Sequence, residues 1–139
     1  MHIQFMLNPP KNIRDLIYNG LKSFNLKHFP DQEIQTLACV AEDPGGNFLG
    51  GLTAEIFTNT LFVEFLWLDD SNRSAGIGSK LMAEVELQAK RFGVTDIYLD
   101  TYSFQAPGFY AKLGFKEVGR YTGFPTEGVD KIFLQKKIA

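Results

Sequence analysis

Two short stretches of this chain carry residue types able to do chemistry. In Arg73-Ser74-Ala75-Gly76-Ile77-Gly78, two glycines stand just ahead of an amphipathic stretch. Glycine lets the main chain approach an anion closely. A helix that starts there offers unpaired N–H groups and the positive end of its dipole. Together these make a seat for phosphate or diphosphate, with Arg73 as an added cationic donor. Other readings stay open. The dinucleotide fingerprint G-x-G-x-x-G needs a third glycine where Leu81 stands. The phosphate-loop pattern G-x-x-x-x-G-K-[ST] is absent, Gly78-Ser79-Lys80 resembling only its tail. A plain structural turn is the third reading.

The second stretch is Phe109-Tyr110-Ala111-Lys112-Leu113-Gly114-Phe115. A phenol with an ordinary pKa of about 10 can give up a proton, or Tyr110 can simply pack on a sheet. Glu64 is a charge inside the apolar run Leu61-Phe62-Val63-Glu64-Phe65-Leu66-Trp67-Leu68. A carboxylate there calls for a reason. It is either a general base or an exposed or ion-paired strand residue, and strict alternation puts it on one face with Leu66 and Leu68. Glu55 and Asp100 are weaker candidates for the base. His2 and His28 lie far from both stretches and read as surface residues. Cys39, within Thr36-Leu37-Ala38-Cys39-Val40-Ala41, reads as inert packing rather than a nucleophile.

The elements that must position these residues follow from periodicity. Residues 2–7 alternate weakly and read as a first strand. Asn8-Pro9-Pro10 opens a helix over 11–25, with Asn8 as its cap and Ile13, Leu16, Ile17, Leu21 and Phe24 at helical spacing. Strands over 33–42 and 47–58 flank Asp43-Pro44-Gly45-Gly46, which predicts an antiparallel hairpin. Asn59-Thr60 turns into a third strand, 61–69, whose continuous apolarity suggests burial on both faces. Ile77, Leu81, Val85, Ala89 and Phe92 form one helical stripe stopped by Gly93. A strand at 95–101, a short helix at 106–113 and strands at 115–121 and 129–137 complete the order. The result is an α/β domain around a mixed sheet, read as one domain over 1–139.

Bulk properties narrow the function. With 139 residues, the chain can bury a real core without disulfides or metal. A single cysteine excludes an internal disulfide and any multi-cysteine zinc site. A formal charge of −2 gives no global basic surface for nucleic acid. No apolar run approaches the ~18 residues of a membrane span, and the first residues lack the pattern of a signal peptide. The expectation is a soluble cytoplasmic protein. Thirteen phenylalanines point to an aromatic core or an apolar pocket.

The order strand, Arg73-x-x-Gly76-x-Gly78, helix, strand, Phe109-Tyr110-x-x-x-Gly114-Phe115 resembles the GNAT superfamily of N-acetyltransferases. The element order covers the whole chain and the specific motifs cover 61–115. The resemblance implies the GNAT fold, a twisted, mostly antiparallel sheet with a splayed parallel pair that binds CoA. It implies acetyl-CoA as co-substrate and no metal. The diphosphate would rest on the amides of Ser74, Ala75, Gly76, Ile77, Gly78 and Ser79, with Arg73 at the loop entrance. Pantetheine would pair with Leu66, Trp67 and Leu68 as an added strand does. Ser103 and Gln105 would place polar groups on the cofactor, although Phe104-Gln105-Ala106-Pro107 departs from the family's commoner asparagine. Tyr110 would serve as general acid and Glu64 as general base, in direct transfer to a primary amine of a small molecule or peptide (EC 2.3.1.-). The acceptor side would draw on Phe24, His28, Phe29, Tyr121, Phe124 and Pro125, and relatives are often homodimers. The rival class is a non-catalytic acyl-CoA-binding regulatory module, which would need neither Tyr110 nor a base.

Overall fold

The computed structural model describes residues 1–29, 33–73 and 76–139. The chain divides into two compact units, Met1–Gln32 and Glu33–Ala139. The first unit contains helix α1, Lys11–Asn25. Its cap is Pro10, whose carbonyl accepts from the N–H groups of Ile13 and Arg14. Asn8 lies two residues upstream with φ 54°, so the expected asparagine cap is not formed. Residues 1–6 carry no regular structure, which corrects the strand expected at 2–7. An extended run becomes a strand only as a member of a ladder, and this one belongs to none.

The second unit holds one six-stranded sheet. Its strands are β1 (Gln35–Glu42), β2 (Phe48–Phe57), β3 (Thr60–Leu68), β4 (Asp96–Tyr102), β5 (Lys116–Tyr121) and β6 (Lys131–Lys137). Helix α2 spans Ile77–Lys90 and α3 spans Pro107–Lys112. The spatial order is β1-β2-β3-β4-β6-β5. Only β3 and β4 run parallel, and the other neighbours are antiparallel. The Asp43–Gly46 hairpin forms as expected. The Asp43 carboxylate accepts from the Asn47 backbone and side chain, at 2.9 and 3.0 Å, and Gly46 N–H closes the turn on Asp43.

One face of the sheet holds the core. Leu52, Ala54 and Ile56 of β2, Leu61 and Val63 of β3, Ile97 and Leu99 of β4, and Ile132 and Leu134 of β6 are buried. Leu81, Met82, Val85 and Ala89 of α2 join the same cluster. The helical stripe is therefore right except at its end. Phe92 lies beyond the helix and is exposed, and Gly93 follows with φ 78°. Burial of β3 on both faces is not observed, since Phe65 is 72% and Trp67 52% exposed. Among the described residues, no helix is long and apolar enough to cross a membrane.

Candidate active site

The parallel ladder between β3 and β4 is short. Thr60–Val63 pair with Asp96–Leu99, and there it ends, although β3 runs on to Leu68 and β4 to Tyr102. The local cause is a bulge. Ala54 of β2 pairs with Val63 but Thr53 pairs with Phe65, so Glu64 is an extra residue on β3. A bulge bends its strand and increases the twist, which turns β3 away from β4. Leu66, Trp67 and Leu68 keep β2 partners on one edge and present their other edge to the opening.

The bulge also resets the alternation. Leu61 and Val63 face the core, and after the extra residue Leu66 and Leu68 rejoin it, partly buried. Glu64 is exposed. The expected sharing of one face by Glu64, Leu66 and Leu68 is therefore not found. The strand pairing gives another grouping. Ile97, Leu99 and Thr101 are buried, so Asp100 turns to the opposite face. Glu55, between buried Ala54 and Ile56, does the same and lies across from Phe62. Asp100 has Lys131 at 3.7 Å.

Behind the splay, the chain turns into α2 through a 3-10 turn at Asp70–Asn72. Arg73 closes this corner, its Nε donating to the Leu68 carbonyl at 3.2 Å and its Nη2 lying 3.1 Å from Asp70. Ser74 and Ala75 lie outside the described residues. Gly76 caps α2 in the left-handed region, φ 74° and ψ 13°, where glycine carries no Cβ penalty. Among the described residues, the first helical bond runs from Lys80 N–H to the Gly76 carbonyl, and none of them gives the N–H groups of Ile77, Gly78 and Ser79 a side-chain cap.

Helix α3 meets this corner. A methyl group on Gly78 would lie 3.1 Å from Cζ of Phe109 and 3.4 Å from Cδ1 of Leu68, so three elements converge on a side chain reduced to hydrogen. The next residue, Tyr110, is 8% exposed. Its ring is held edge-on by Phe109 at 5.0 Å and Phe115 at 5.8 Å. Among the described residues, no polar side-chain atom is both sealed and unpaired. Tyr110 has no hydrogen-bond partner there, so its hydroxyl is the part that reaches the surface. Burial pushes its pKa above the ordinary value.

Ser103 and Gln105, at the turn into α3, have protein partners. The Ser103 hydroxyl accepts from Asp130 N–H at 2.9 Å. The Gln105 side-chain carbonyl accepts from Tyr102 N–H at 2.7 Å and from the Thr101 hydroxyl at 3.0 Å. Cys39 is half-buried against the core, and burial raises its thiol pKa, as inert packing requires. Sequence reasoning missed Gly50, Gly51 and Asp130. A glycine pair inside a strand pattern signals a close backbone approach. Asp130 carried no local signal, since its partners Ser103 and Arg120 are distant in sequence.

The model of the GNAT acetyltransferase domain matches residues 35–117. Blasticidin-S acetyltransferase of Streptomyces morookaense is 33% identical over 106 residues, which are 76% of this chain and 77% of that protein. The crystal structure of an acetyltransferase from Bacillus cereus is 33% identical, superposes with a TM-score of 0.89 and covers 99% of both chains. An aminoglycoside 6'-N-acetyltransferase crystallised with coenzyme A shares the fold, with a TM-score of 0.68 at 19% identity over 99% of this chain and 96% of that one. With the splayed parallel strands, the glycine-capped helix start and the buried tyrosine, these matches place the chain in the GNAT superfamily, as an N-acetyltransferase.

Proposed function

We propose that the protein transfers acetyl from acetyl-CoA directly to a primary amine of a small molecule or peptide. The observation that carries this reading is the end of the β3–β4 ladder at Val63 and Leu99, with the glycine-capped helix start on one side of the opening and the Tyr110 ring packed behind it. Each residue present has a task that fits its chemistry. The amides of Ile77, Gly78 and Ser79, with those of Gly76, Ser74 and Ala75, hold the diphosphate. Arg73 fixes the loop to the end of β3. The open edge of Leu66–Leu68 pairs with the two amides of pantetheine, and an N–H there polarises the thioester carbonyl.

The amine must arrive neutral to attack. Glu64, on the exposed bulge, takes its proton, directly or through water. The C–N bond forms as the C–S bond breaks, the Tyr110 hydroxyl supplies a proton to the departing sulfur, and the proton that the nitrogen sheds on becoming an amide returns to the phenolate through water. Ser103 and Gln105 support this geometry through the contacts described above, and donors left on either side chain remain available to the co-substrate. The name of the Streptomyces relative supports a small-molecule acceptor of the kind of blasticidin S. Whole-chain function as one catalytic domain, a homodimeric state and a cytoplasmic location complete the proposal.

Turnover of acetyl-CoA against a panel of amines, read as free thiol release, tests the reading. Thiol release that depends on an amine supports it. Tight CoA binding with no turnover on any amine would instead identify a regulatory acyl-CoA-binding module.

A further inference from the structure

Asp130 stands just before β6, at the end of the sheet where β3 and β4 part. Lys131 pairs with Tyr102, the last residue of β4, whereas the β3–β4 ladder stops three residues earlier at Leu99. The loop between β5 and β6, residues 122–130, therefore hangs at the mouth of the splay. Asp130 makes contacts on two sides. Its backbone exchanges hydrogen bonds with Ser103, accepting from Ser103 N–H at 2.8 Å and donating to the Ser103 hydroxyl at 2.9 Å. Its carboxylate accepts from Arg120 Nη1 at 2.9 Å and from Gly123 N–H at 3.2 Å. Arg120 is itself braced by Glu117 at 2.7 Å.

The loop's own bonds are few. Phe124 N–H donates to the Val129 carbonyl and Val129 N–H to the Thr126 carbonyl. The Phe124 ring rests on Tyr121 at 4.7 Å, with the Lys131 ammonium 5.5 Å from its centroid. Of that set, Lys131 leads to β4 through Asp100 at 3.7 Å, and none reaches the turn that leads into α3. Asp130 reaches that turn through Ser103.

We propose that Asp130 is a positioning residue for the acceptor: it latches the 122–129 loop, with its Phe124 ring, to the same turn that leads to Tyr110. This rests on the catalytic reading above, because the loop can order an amine only if an amine is the second substrate. The carboxylate acts through Arg120 and Gly123 and touches no reacting atom. Its loss therefore loosens the amine side of the cleft and leaves the diphosphate side, on α2, untouched.

The test combines kinetics with hydrogen exchange on the full chain. Asp130→Ala removes both acceptor oxygens, and Asp130→Asn keeps an oxygen for Gly123 while losing the charge that Arg120 uses. In Asp130→Ala, the KM for the amine rises about tenfold, while kcat and the KM for acetyl-CoA stay within about twofold. Asp130→Asn recovers part of the loss. Amide exchange at Gly123 and Phe124 accelerates in Asp130→Ala, and exchange in α2 does not change. An unchanged amine KM in a variant that turns over, or a matching rise in both KM values, overturns the proposal. Unchanged exchange at Gly123 overturns the latch even if no amine is ever turned over. A wild-type protein without turnover, alongside accelerated loop exchange in the variant, overturns the catalytic reading and with it the acceptor role.

Discussion

Gly50 lies directly across from Leu68, and a methyl group placed on it would come within 2.5 Å of the Trp67 carbonyl oxygen and 2.9 Å of the Leu68 Cα. Leu68 Cδ2, at 2.6 Å, is the one side-chain atom of the three nearest; the other two are main chain, in the segment proposed to receive pantetheine. Gly51, its neighbour, faces the other way, with the Cys39 carbonyl 2.8 Å from an added methyl. Gly50→Ala should therefore push β3 outward, and Gly51→Ala should push β1. Both should lower stability by about 1–3 kcal/mol, the range for overpacking. Only Gly50→Ala should also raise the KM for acetyl-CoA, severalfold. Denaturant titration beside steady-state kinetics checks the pair, and equal KM values in the two variants would refute it.

Tyr110→Phe keeps the ring contacts with Phe109 and Phe115 and removes only the hydroxyl. As a general acid, the hydroxyl is worth roughly 10²–10⁴ in kcat, so the variant should lose that factor with little change in the KM for acetyl-CoA. Burial disfavours the phenolate, which holds the Tyr110 pKa above about 10. The sign follows. The acid is protonated throughout the neutral range, and the alkaline limb of the kcat profile falls above the ordinary tyrosine value. The stability it confers is present below about pH 10 and fades as pH climbs through the raised value. An alkaline limb that persists unaltered in Tyr110→Phe would assign it to another group.

Of Glu55, Glu64 and Asp100, Glu64 alone sits on the bulge, and Asp100 has Lys131 at 3.7 Å. Glu64→Gln should lower kcat about 10²-fold or more. Asp100→Asn and Glu55→Gln should change kcat less than about threefold. If Asp100→Asn instead carries the larger loss of kcat, the base lies on β4.

Arg73 is exposed, and its pairing with Asp70 is solvent-screened, so Arg73→Ala should alter stability by less than about 1 kcal/mol. Its bond to the Leu68 carbonyl fixes the loop entrance, so the KM for acetyl-CoA should rise a few-fold, most at low ionic strength. Titration of CoA by calorimetry at two salt concentrations measures this, and salt-independent affinity in both proteins would count against a charged role.

The fold was legible where its cause is local. Asp43-Pro44-Gly45-Gly46 carries its own turn chemistry, and Asp43 makes the bonds that such a turn needs. The stripe Leu81, Val85, Ala89 finds the core because helical spacing alone decides which side faces it. Glu64 shows the limit. Apart from Glu64 the run is apolar, and one charge does not tell whether the alternation slips there or holds, so the bulge and the exposure of Phe65 and Trp67 stay hidden. The strand expected at 2–7 failed for another reason, since a ladder depends on a partner that the run itself does not name. The Asp130 contacts join residues up to 27 positions apart, beyond the reach of any motif.

The sheet is two three-stranded panels joined along one seam of four residue pairs. β2 pairs with its neighbours along nearly its whole length, so the seam is where the fewest rungs hold the protein together. A thioester lying along that gap would supply the missing rungs from its own amides. The line along which this enzyme would first come apart under heat or protease is then the line that its donor mends. Its survival should rise with acyl-CoA supply as mass action dictates.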